Sequence, residues 1–435
     1  MRNLDIDTAI NEARGNYVAS RIKSAEYFQK AQSVMPGGNT RTVLHFDPFP
    51  FTVVKGEKAA IWDADGHIYK DFLGEYTAGL YGHNNSLIEE AIKNALHEGL
   101  TLGGPNLIEA KFAKIMCERF NAIERIRFCN SGTEANILAL SAARAFTKRN
   151  EVVVVEGSYH GGVLTYSGDS PLNLPFPTHR ITYNKEDEAI KKIEQLGDSL
   201  AAVLVEPMIG AGGCIPANRK FLESLRKATQ INGTILIFDE VMTSRLTAGG
   251  LMGFQKLMPD LATFGKYLGG GLTFGAFGGR ADIMDHFDPK RNNSWGHAGT
   301  FNNNILSMSA GFTGISKVFT PKVSDEFFIT GNLFRESIKN DVSSLKLPIH
   351  ITGLGSMIAF HFTKSLPLFP YNLDSKQKVL LELIHLDMLE KGQFYARRGM
   401  INISLPMTKN DLKSFRLAFL ETLEDRAPII KSVLR

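Results

Sequence analysis

Short apolar runs alternate with helix-like stretches between about residues 105 and 320. The runs include VVVV at 152–155, AAVLVEP at 201–207 and TILIFDE at 234–240. A stretch with apolar residues at helical spacing, NRKFLESLRKATQING at 218–233, precedes the last of these runs. Apolar strands that alternate with helices are typical of a mostly parallel sheet covered by helices on both faces. This part of the chain is therefore predicted to be an α/β domain.

The two ends of the chain have a different pattern. Residues 51–72, FTVVKGEKAAIWDADGHIYKDF, alternate apolar and polar positions around an Asp-Gly turn, which predicts short antiparallel strands. Toward the other end the pattern mixes helix and strand, and MTKNDLKSFRLAFLETLEDR at 407–426 predicts a last helix. We therefore expect segments 1–75 and 321–435 to form a smaller α+β domain together, with 76–320 as the large domain.

Four polar side chains follow apolar runs of the predicted sheet. His160, Glu206, Asp239 and Lys266 each lie at or just past the end of such a run. Parallel sheets bind ligands at the carboxyl ends of their strands. We therefore expect these four side chains to converge on one edge of the sheet.

Lys266 lies in TFGKYLGGGLTFGAFGG at 263–279, among apolar residues and just ahead of three glycines. A poorly solvated lysine is disfavoured as an ammonium ion, so its pKa falls and its amine becomes a nucleophile able to form a Schiff base. The alternative is a lysine on a turn whose amine reaches solvent. The segment lacks the G-x-G-x-x-G spacing of a dinucleotide-binding loop.

A second stretch, FCNSGTEANILALSAARAF at 128–146, follows a predicted strand and opens a helix. Ser131 and Glu134 have the spacing of a capping box, and Gly132 lets the backbone approach a ligand closely. A helix start presents free N–H groups and a positive dipole end, which suit a phosphate. The alternative is that Ser131 simply caps a core helix.

Two further stretches offer groups that suit a heteroaromatic ligand. Asp239 in LIFDEVMTS could keep a pyridine nitrogen protonated, because opposite charges favour the ionised form of each group. Its alternatives are capping the next segment or pairing with an arginine such as Arg245. Tyr159 and His160 in EGSYHGG lie on a glycine-flanked turn, where the aromatic ring could stack on a flat ligand or fill the core.

Composition excludes several classes of function. The 49 basic and 45 acidic residues leave a net charge of +4 without a long basic run, which argues against nucleic-acid and membrane partners. Cys117, Cys129 and Cys214 are far apart and odd in number, so neither a disulfide framework nor a zinc spacing is present, and no metal is expected. The start of the sequence has no secretory pattern and no stretch is long and apolar enough to span a membrane, so a cytoplasmic location is expected.

Taken together, five motifs resemble the class III aminotransferases of pyridoxal 5'-phosphate (PLP) fold type I. They are NSGTEAN, SYHGG, VEPMIGAGG, IFDEV and FGKYLGGGLTFGAFGG, and the resemblance extends from about residue 35 to 425. Within that family, MPGGNTRTVLHFDPFP, EYTAGLYGHN and GTFNNN resemble the β-phenylalanine (β-amino acid) aminotransferases, near the glutamate-1-semialdehyde aminomutase branch. The resemblance implies a large domain with a mostly parallel seven-stranded sheet and a smaller domain built from both termini.

The resemblance also implies a role for each cofactor-binding residue. Lys266 would form the Schiff base and move the proton, and Asp239 would hold the pyridinium nitrogen. Thr300 would complete the phosphate site from the neighbouring subunit, so the enzyme would be a homodimer with shared active sites. The remaining implied residues are Ser131, Gly132 and Thr133 at the phosphate, Tyr159 and Val241 on the two ring faces, and His160 and Glu206 beside the ring.

Two arginines carry the implied choice of substrate. Arg41 in GGNTRTV and Arg398 in YARRGMINISLP match positions that the β-amino acid branch uses for carboxylates, with neighbouring Arg397 as the alternative to Arg398. The other interpretation of either arginine is a surface salt bridge. Tyr76, Tyr81 and His83 in EYTAGLYGH are expected to line the pocket.

The implied activity is transfer of the amino group of a β-amino acid, such as β-phenylalanine, to a keto acid such as 2-oxoglutarate in a ping-pong cycle. Two alternatives stay open. An aminomutase is disfavoured by AGTFNNNILSM and GNTRTVL, which depart from the stretches usual in that branch. A non-catalytic binding protein of the same fold would have no need for the amine of Lys266.

Overall fold

A computed structural model describes residues 5–434. Ahead of the large sheet, these described residues form four α-helices and three strands. The helices are α1 Ile6–Ser20, α2 Ile22–Gln32, α3 Ser86–Glu98 and α4 Leu107–Arg119, and the strands are β1 Val53–Glu57, β2 Ala60–Asp63 and β3 Ile68–Asp71. The three strands pair antiparallel, which confirms the prediction made from the alternating pattern at 51–72.

The middle of the chain alternates strands with helices. The strands are β4 Arg125–Cys129, β5 Glu151–Val155, β6 Thr178–Ile181, β7 Leu200–Val205, β8 Met208–Ile209, β9 Ile215–Pro216, β10 Ile235–Asp239, β11 Leu261–Gly265 and β12 Gly275–Gly279. The helices are α5 Gly132–Thr147, α6 Glu186–Leu196, α7 Arg219–Asn232, α8 Gly250–Gln255, α9 Ala281–Met284 and α10 Ile305–Thr313.

Seven of these strands form one sheet in the order β4-β12-β11-β10-β7-β5-β6. The strands from β11 to β6 run parallel, whereas β12 is antiparallel to both of its neighbours. Strands β7, β10 and β11 are buried along their whole length, which explains why they are continuous apolar runs in the sequence. The predicted mostly parallel seven-stranded sheet is confirmed.

The C-terminal part contributes long helices and a second antiparallel sheet. Its elements are α11 Pro321–Ser344, β13 Ile349–Leu354, β14 Met357–Phe362, α12 Ser375–Glu390, β15 Gln393–Phe394, β16 Met400–Asn402 and α13 Lys409–Val433. The sheet has the order β13-β14-β16. Helix α13 begins after Thr408, which forms a capping box with Asp411, and it continues through Pro428 beyond the predicted stretch.

Short helical turns connect these elements. The 3₁₀ turns are Pro36–Gly38, Thr42–Leu44, Gly74–Thr77, Gly197–Ser199, Thr243–Arg245, Lys266–Gly269 and Asp285–Phe287, and a π-helical turn spans Gly314–Val318. Two of them, at Gly74 and at Lys266, lie beside the candidate active site.

Both ends of the chain share one hydrophobic core. Phe72 from the N-terminal part packs on Phe415 of α13 with 4.4 Å between ring centroids. Strand β3 also pairs with β15, where Lys70 lies opposite Gln393. The large sheet has separate cores on its two faces. Both termini therefore build one body beside the large sheet, while the boundaries at residues 75 and 320 stay a prediction.

Residues 5–434 contain neither a membrane-spanning helix nor a group of metal ligands. No helix in this range has the length and apolar character needed to cross a membrane. Nor do three or more His, Cys, Asp or Glu side chains of these residues come together in a way that could hold a metal ion.

Candidate active site

Lys266 lies at the carboxyl end of β11, next to the strand β10 that ends at Asp239. It starts a 3₁₀ turn and has a φ of 56°, in the left-handed region. A Cβ on the preceding Gly265 would lie 3.3 Å from the backbone of Gly132 at the start of α5. The amine, the carboxylate and the helix start therefore share one edge of the sheet.

The amine of Lys266 is poorly solvated, and within the described chain it has no hydrogen-bond or ion-pair partner. Burial lowers its pKa from 10.5 to about 8, against the opposing effect of Asp239. The Arg41 and Arg398 guanidiniums lower this pKa further, whereas Glu75 raises it. About half of the amine is therefore neutral at pH 8, where an ordinary lysine is almost fully charged. These are the properties of a nucleophile that forms Schiff bases.

Three donors hold the carboxylate of Asp239. Its Oδ2 accepts from His160 Nδ1 at 2.7 Å and from Asn136 Nδ2 at 2.8 Å. Its Oδ1 accepts from the backbone N–H of Val241 at 2.9 Å. The hydroxyl of Thr263 donates to Asn136 Oδ1 at 2.6 Å, which fixes the amide in turn. The carboxylate is thereby held in one orientation at the sheet edge.

Asn136 was not predicted to belong to the site, although it lies in the NSGTEAN motif. It is 1% exposed and follows Ala135 on α5, a helix whose buried face is mainly alanine and leucine. Asparagine is seldom fully buried, and a buried amide needs partners. A lone amide on an apolar helix face is the signal that could have identified it.

Glu206 anchors the loop that carries Tyr159 and His160. Its Oε1 accepts from the N–H of Tyr159 at 3.2 Å, and its Oε2 accepts from the N–H of Gly210 at 2.9 Å. Burial raises the pKa of Glu206 to about 7. The Tyr159 side chain is 46% exposed, so its ring is open to a flat ligand. His160 Nε2 is buried and has no partner in the part of the chain described.

The start of α5 presents unpaired donors. Ser131 Oγ accepts from the N–H of Glu134 at 3.1 Å, as the predicted capping box requires. The reciprocal bond goes one residue earlier than expected, because Glu134 Oε2 accepts from the N–H of Asn130 at 2.6 Å. The N–H groups of Gly132 and Thr133 belong to the first helical turn, whose donors have no partner within the helix. Free N–H groups at a helix start suit an anion, and these lie at the same sheet edge as Lys266 and Asp239.

Two glycines allow the loops to close around this helix start. A Cβ on Gly132 would lie 2.7 Å from Cγ1 of Val241, and a Cβ on Gly161 would overlap the side chain of Thr133. Because these two positions are glycines, no side chain fills the space in front of the helix.

Together, the groups at this sheet edge fit PLP. They are a helix start that suits an anion, a fixed carboxylate, an open aromatic ring and an amine with a lowered pKa, which are the groups that this cofactor requires.

Tyr76 lies close to both predicted substrate arginines. The Cζ of Arg398 is 4.9 Å and the Cζ of Arg41 is 5.9 Å from the centroid of its ring. The Arg41 guanidinium donates to the carboxylate of Glu75. Arg397 is exposed, whereas Arg398 is partly buried and its Nε lacks a hydrogen-bond acceptor among the described residues. Arg398 rather than Arg397 therefore faces the site.

Tyr81 and His83 lie apart from this group. Tyr81 is 4% exposed and packs on Tyr267 in a core of the large sheet, so the prediction that it lines the pocket is wrong. His83 Nε2 is 3.0 Å from Oδ2 of Asp71, and its ring lies over Gly56 of β1. The motif EYTAGLYGH does not show which way the side chains of Tyr81 and His83 point.

Of two further predicted residues, Arg245 is fully buried and Thr300 lies at the surface. Arg245 does not pair with Asp239; it donates to the backbone carbonyls of Thr77 and Ile403. Thr300 is exposed and lines a cavity of about 560 Å³ with the segment Leu100–Asn106. Its role toward a neighbouring subunit stays a prediction.

Comparisons with known proteins agree with this geometry. The aminotransferase class-III family profile matches residues 44–383. A β-phenylalanine transaminase from Variovorax paradoxus is 42% identical over 416 residues, which cover 95% of this chain and 96% of the relative. The solved structure of the β-phenylalanine aminotransferase from that organism has a TM-score of 0.95, covering 97% of this chain and 98% of the other.

Two more distant proteins extend the comparison. A glutamate-1-semialdehyde 2,1-aminomutase from Methanothermobacter thermautotrophicus is 36% identical over 389 residues, covering 86% of this chain and 91% of the relative. A solved transaminase with PLP bound is 29% identical and has a TM-score of 0.86, with 94% and 99% of the two chains covered. The chain therefore belongs to the class III aminotransferases, PLP-dependent enzymes of fold type I.

Proposed function

We propose that this aminotransferase moves the amino group of a β-amino acid, preferably an aromatic one such as β-phenylalanine, to a keto acid such as 2-oxoglutarate. One observation carries the proposal: the guanidiniums of Arg41 and Arg398 lie by the same ring of Tyr76 and both act on the amine of Lys266. A cycle between an amino acid and a keto-dicarboxylate needs a cation for each carboxylate, and a planar guanidinium binds one bidentately.

The surroundings of these arginines favour an aromatic substrate. Both cations lie within 5.9 Å of the ring centroid of Tyr76, so the carboxylate site has an aromatic neighbour. Arg398, which lies on this ring, also lines a cavity of about 320 Å³ together with Tyr159 and Met400 among others. Support also comes from the 42% identity to a relative named for β-phenylalanine.

Bound PLP supplies an aldehyde carbon that bonds to amines and a ring that draws electrons away from that bond. Lys266 Nζ would bond to it in the resting enzyme. With substrate present, Nζ would be the base that takes up the proton of the amino-bearing carbon and gives it back. The carboxylate of Asp239 would keep the ring nitrogen protonated. Tyr159 and Val241 would contact the two faces of the ring. Glu206 would hold the loop that carries Tyr159, and His160 would hold the carboxylate of Asp239.

The phosphate would bind at the start of α5, on the N–H groups of Gly132 and Thr133 and the hydroxyl of Ser131. Thr300 of a neighbouring copy would complete this site, so the active enzyme would be a homodimer. We place it in a reducing compartment such as the cytoplasm, because its three cysteines are unpaired.

We expect Gly161→Ala to weaken cofactor binding. Gly161 has a φ of 132°, and a Cβ there would overlap the side chain of Thr133 at the proposed phosphate site. Overpacking of this kind costs about 1–3 kcal/mol, which corresponds to a rise of roughly 5- to 150-fold in the Kd for PLP. Absorbance titration of the apoenzyme with PLP measures it. Gly162→Ala is the matched control, since a Cβ at Gly162 meets no atom within 4 Å. Equal Kd values for the two variants would contradict the assignment.

The substrate class is tested by adding β-phenylalanine alone to the purified holoenzyme. We expect the visible band of the bound aldehyde form to disappear and the band of the amine form to grow, with one equivalent of keto product. A band that stays unchanged while 2-oxoglutarate still reacts with the amine form would reject the aromatic β-amino acid. Continued turnover of glutamate-1-semialdehyde without any acceptor would instead identify an aminomutase.

A further inference from the structure

We propose that Glu75 is a built-in competitor for the substrate's carboxylate: it occupies the guanidinium of Arg41 and must be displaced when an acid binds. This inference rests on the proposed role of Arg41. In the structure, the Arg41 guanidinium donates to Glu75, which is the same type of contact that a substrate carboxylate would make. Glu75 would thereby determine how strongly the site prefers acids over uncharged ligands.

The backbone at Glu75 is strained in a way that points to a function. Gly74, Glu75, Tyr76 and Thr77 have φ values of 53°, 48°, 50° and 83°, so four consecutive residues lie in the left-handed region. Side-chain-bearing residues rarely adopt this conformation, and then as single residues. Strained backbone of this kind concentrates at functional sites, where the surrounding structure enforces it.

Buried groups hold the turn from both sides. Asp71 Oδ1 accepts from the N–H groups of Leu73 and Gly74, each at 3.0 Å. At the other end, the buried guanidinium of Arg245 donates to the carbonyl of Thr77 at 2.9 Å. Arg245 is 1% exposed, and burial lowers its pKa to about 10. Burying a charged guanidinium is costly, and this one donates to a backbone carbonyl of the turn. The contact indicates that the conformation of the turn is important.

The ion pair itself is easy to exchange. The side chains of Arg41 and Glu75 are 42% and 53% exposed, and an exposed pair of this kind contributes little to stability. A substrate carboxylate can therefore take the place of Glu75 at small cost. Both groups also act on the amine of Lys266 with opposite signs, which places them within electrostatic reach of the reacting centre.

The test measures binding without turnover. Isothermal titration calorimetry of the holoenzyme with 3-phenylpropanoate, which has no amino group, gives a Kd for the carboxylate alone. We expect Glu75→Gln to lower this Kd about 3-fold or more, since the variant keeps a similar shape but loses the competing charge. The Kd for 3-phenylpropanamide, the uncharged analogue, should not fall. An unchanged or higher Kd for the acid would overturn the proposal, because Glu75 would then be neutral or would only orient Arg41.

Controls separate this proposal from the one on which it rests. Glu57→Gln removes the carboxylate of an exposed pair with Lys55 and should leave both Kd values unchanged. Arg41→Ala should weaken binding of the acid and abolish the effect of Glu75→Gln in the double variant. If Arg41→Ala binds the acid as the parent does, the proposed role of Arg41 fails. If only Glu75→Gln lacks an effect, the competitor proposal alone fails. Glu75→Asn, which tolerates the left-handed backbone, repeats the test should Glu75→Gln fold poorly.

Discussion

The Lys266→Ala variant loses transamination, with kcat lowered about 10³-fold or more. The amine is the group at the sheet edge whose pKa, lowered to about 8 by burial, leaves a nucleophile available near neutral pH. Alanine can neither bond to the cofactor nor move the proton between the two carbons. The helix start at Ser131 and the carboxylate of Asp239 are untouched, so the variant should still bind PLP.

The measurement is formation of keto product from β-phenylalanine and 2-oxoglutarate, together with the spectrum of the variant after addition of PLP. Lys256→Ala is the matched control, because Lys256 also has a left-handed backbone, with a φ of 51°, but is exposed. It should retain full activity. A Lys266→Ala variant with parental kcat would mean that another group carries the proton and that the proposed mechanism is wrong.

The sequence predicted the sheet edge because strand ends can be read from apolar runs. Asp239 and Lys266 end or follow β10 and β11, and parallel neighbours bring such residues together whatever the loops do. The motif at Ser131 was equally readable, since a capping residue and a glycine mark a helix start. These features depend on local pattern and on one topological rule, which is why they were predicted correctly.

Side chains whose direction is set by the path of a loop could not be placed from the sequence. Tyr81 was expected in the pocket but lies in the core, because the side on which an aromatic side chain leaves a turn is set by tertiary packing. The four left-handed residues Gly74–Thr77 include a single glycine, so the amino-acid composition of this segment does not predict its backbone conformation. Arg245 was considered as a partner for Asp239, but its guanidinium donates to the carbonyl of Thr77 in that turn. The two residues are 168 positions apart in the sequence, so the sequence alone does not reveal the contact.

Asn136 illustrates an intermediate case. Its amide donates both to Asp239 Oδ2 and to the carbonyl of His160, so one residue joins α5, β10 and the loop at His160. Its burial could be inferred from the apolar helix face, but its partners could not, since they come from two other parts of the sheet. Networks of buried polar groups hold a site in one geometry, and their members are visible only once the fold is known.

Asp239→Asn is expected to lower kcat by about 10²-fold while leaving the fold intact. An opposite charge shifts the pKa of a neighbouring group by about 1–3 units, and each unit is a factor of ten in the protonated fraction. Asparagine has one carbonyl oxygen in place of two carboxylate oxygens. The donors of His160, Asn136 and Val241 therefore cannot all keep an acceptor. The neutral amide would neither keep the cofactor's ring nitrogen protonated nor stay in one orientation.

A second buried aspartate of the same sheet separates catalysis from stability. Asp260 lies at the start of β11, where it accepts from the N–H of Leu236 at 2.8 Å and pairs with Arg226 and Arg280 at 2.9 Å. Asp260→Asn should lower Tm but keep kcat per mole of bound PLP, whereas Asp239→Asn should lower kcat with PLP saturating. Equal losses of kcat in both variants would mean that Asp239 acts through sheet stability. If kcat falls only in Asp239→Asn, the carboxylate acts in the reaction itself. Of the two aspartates, Asp239 is the one that lies at the carboxyl ends of the strands beside the amine of Lys266.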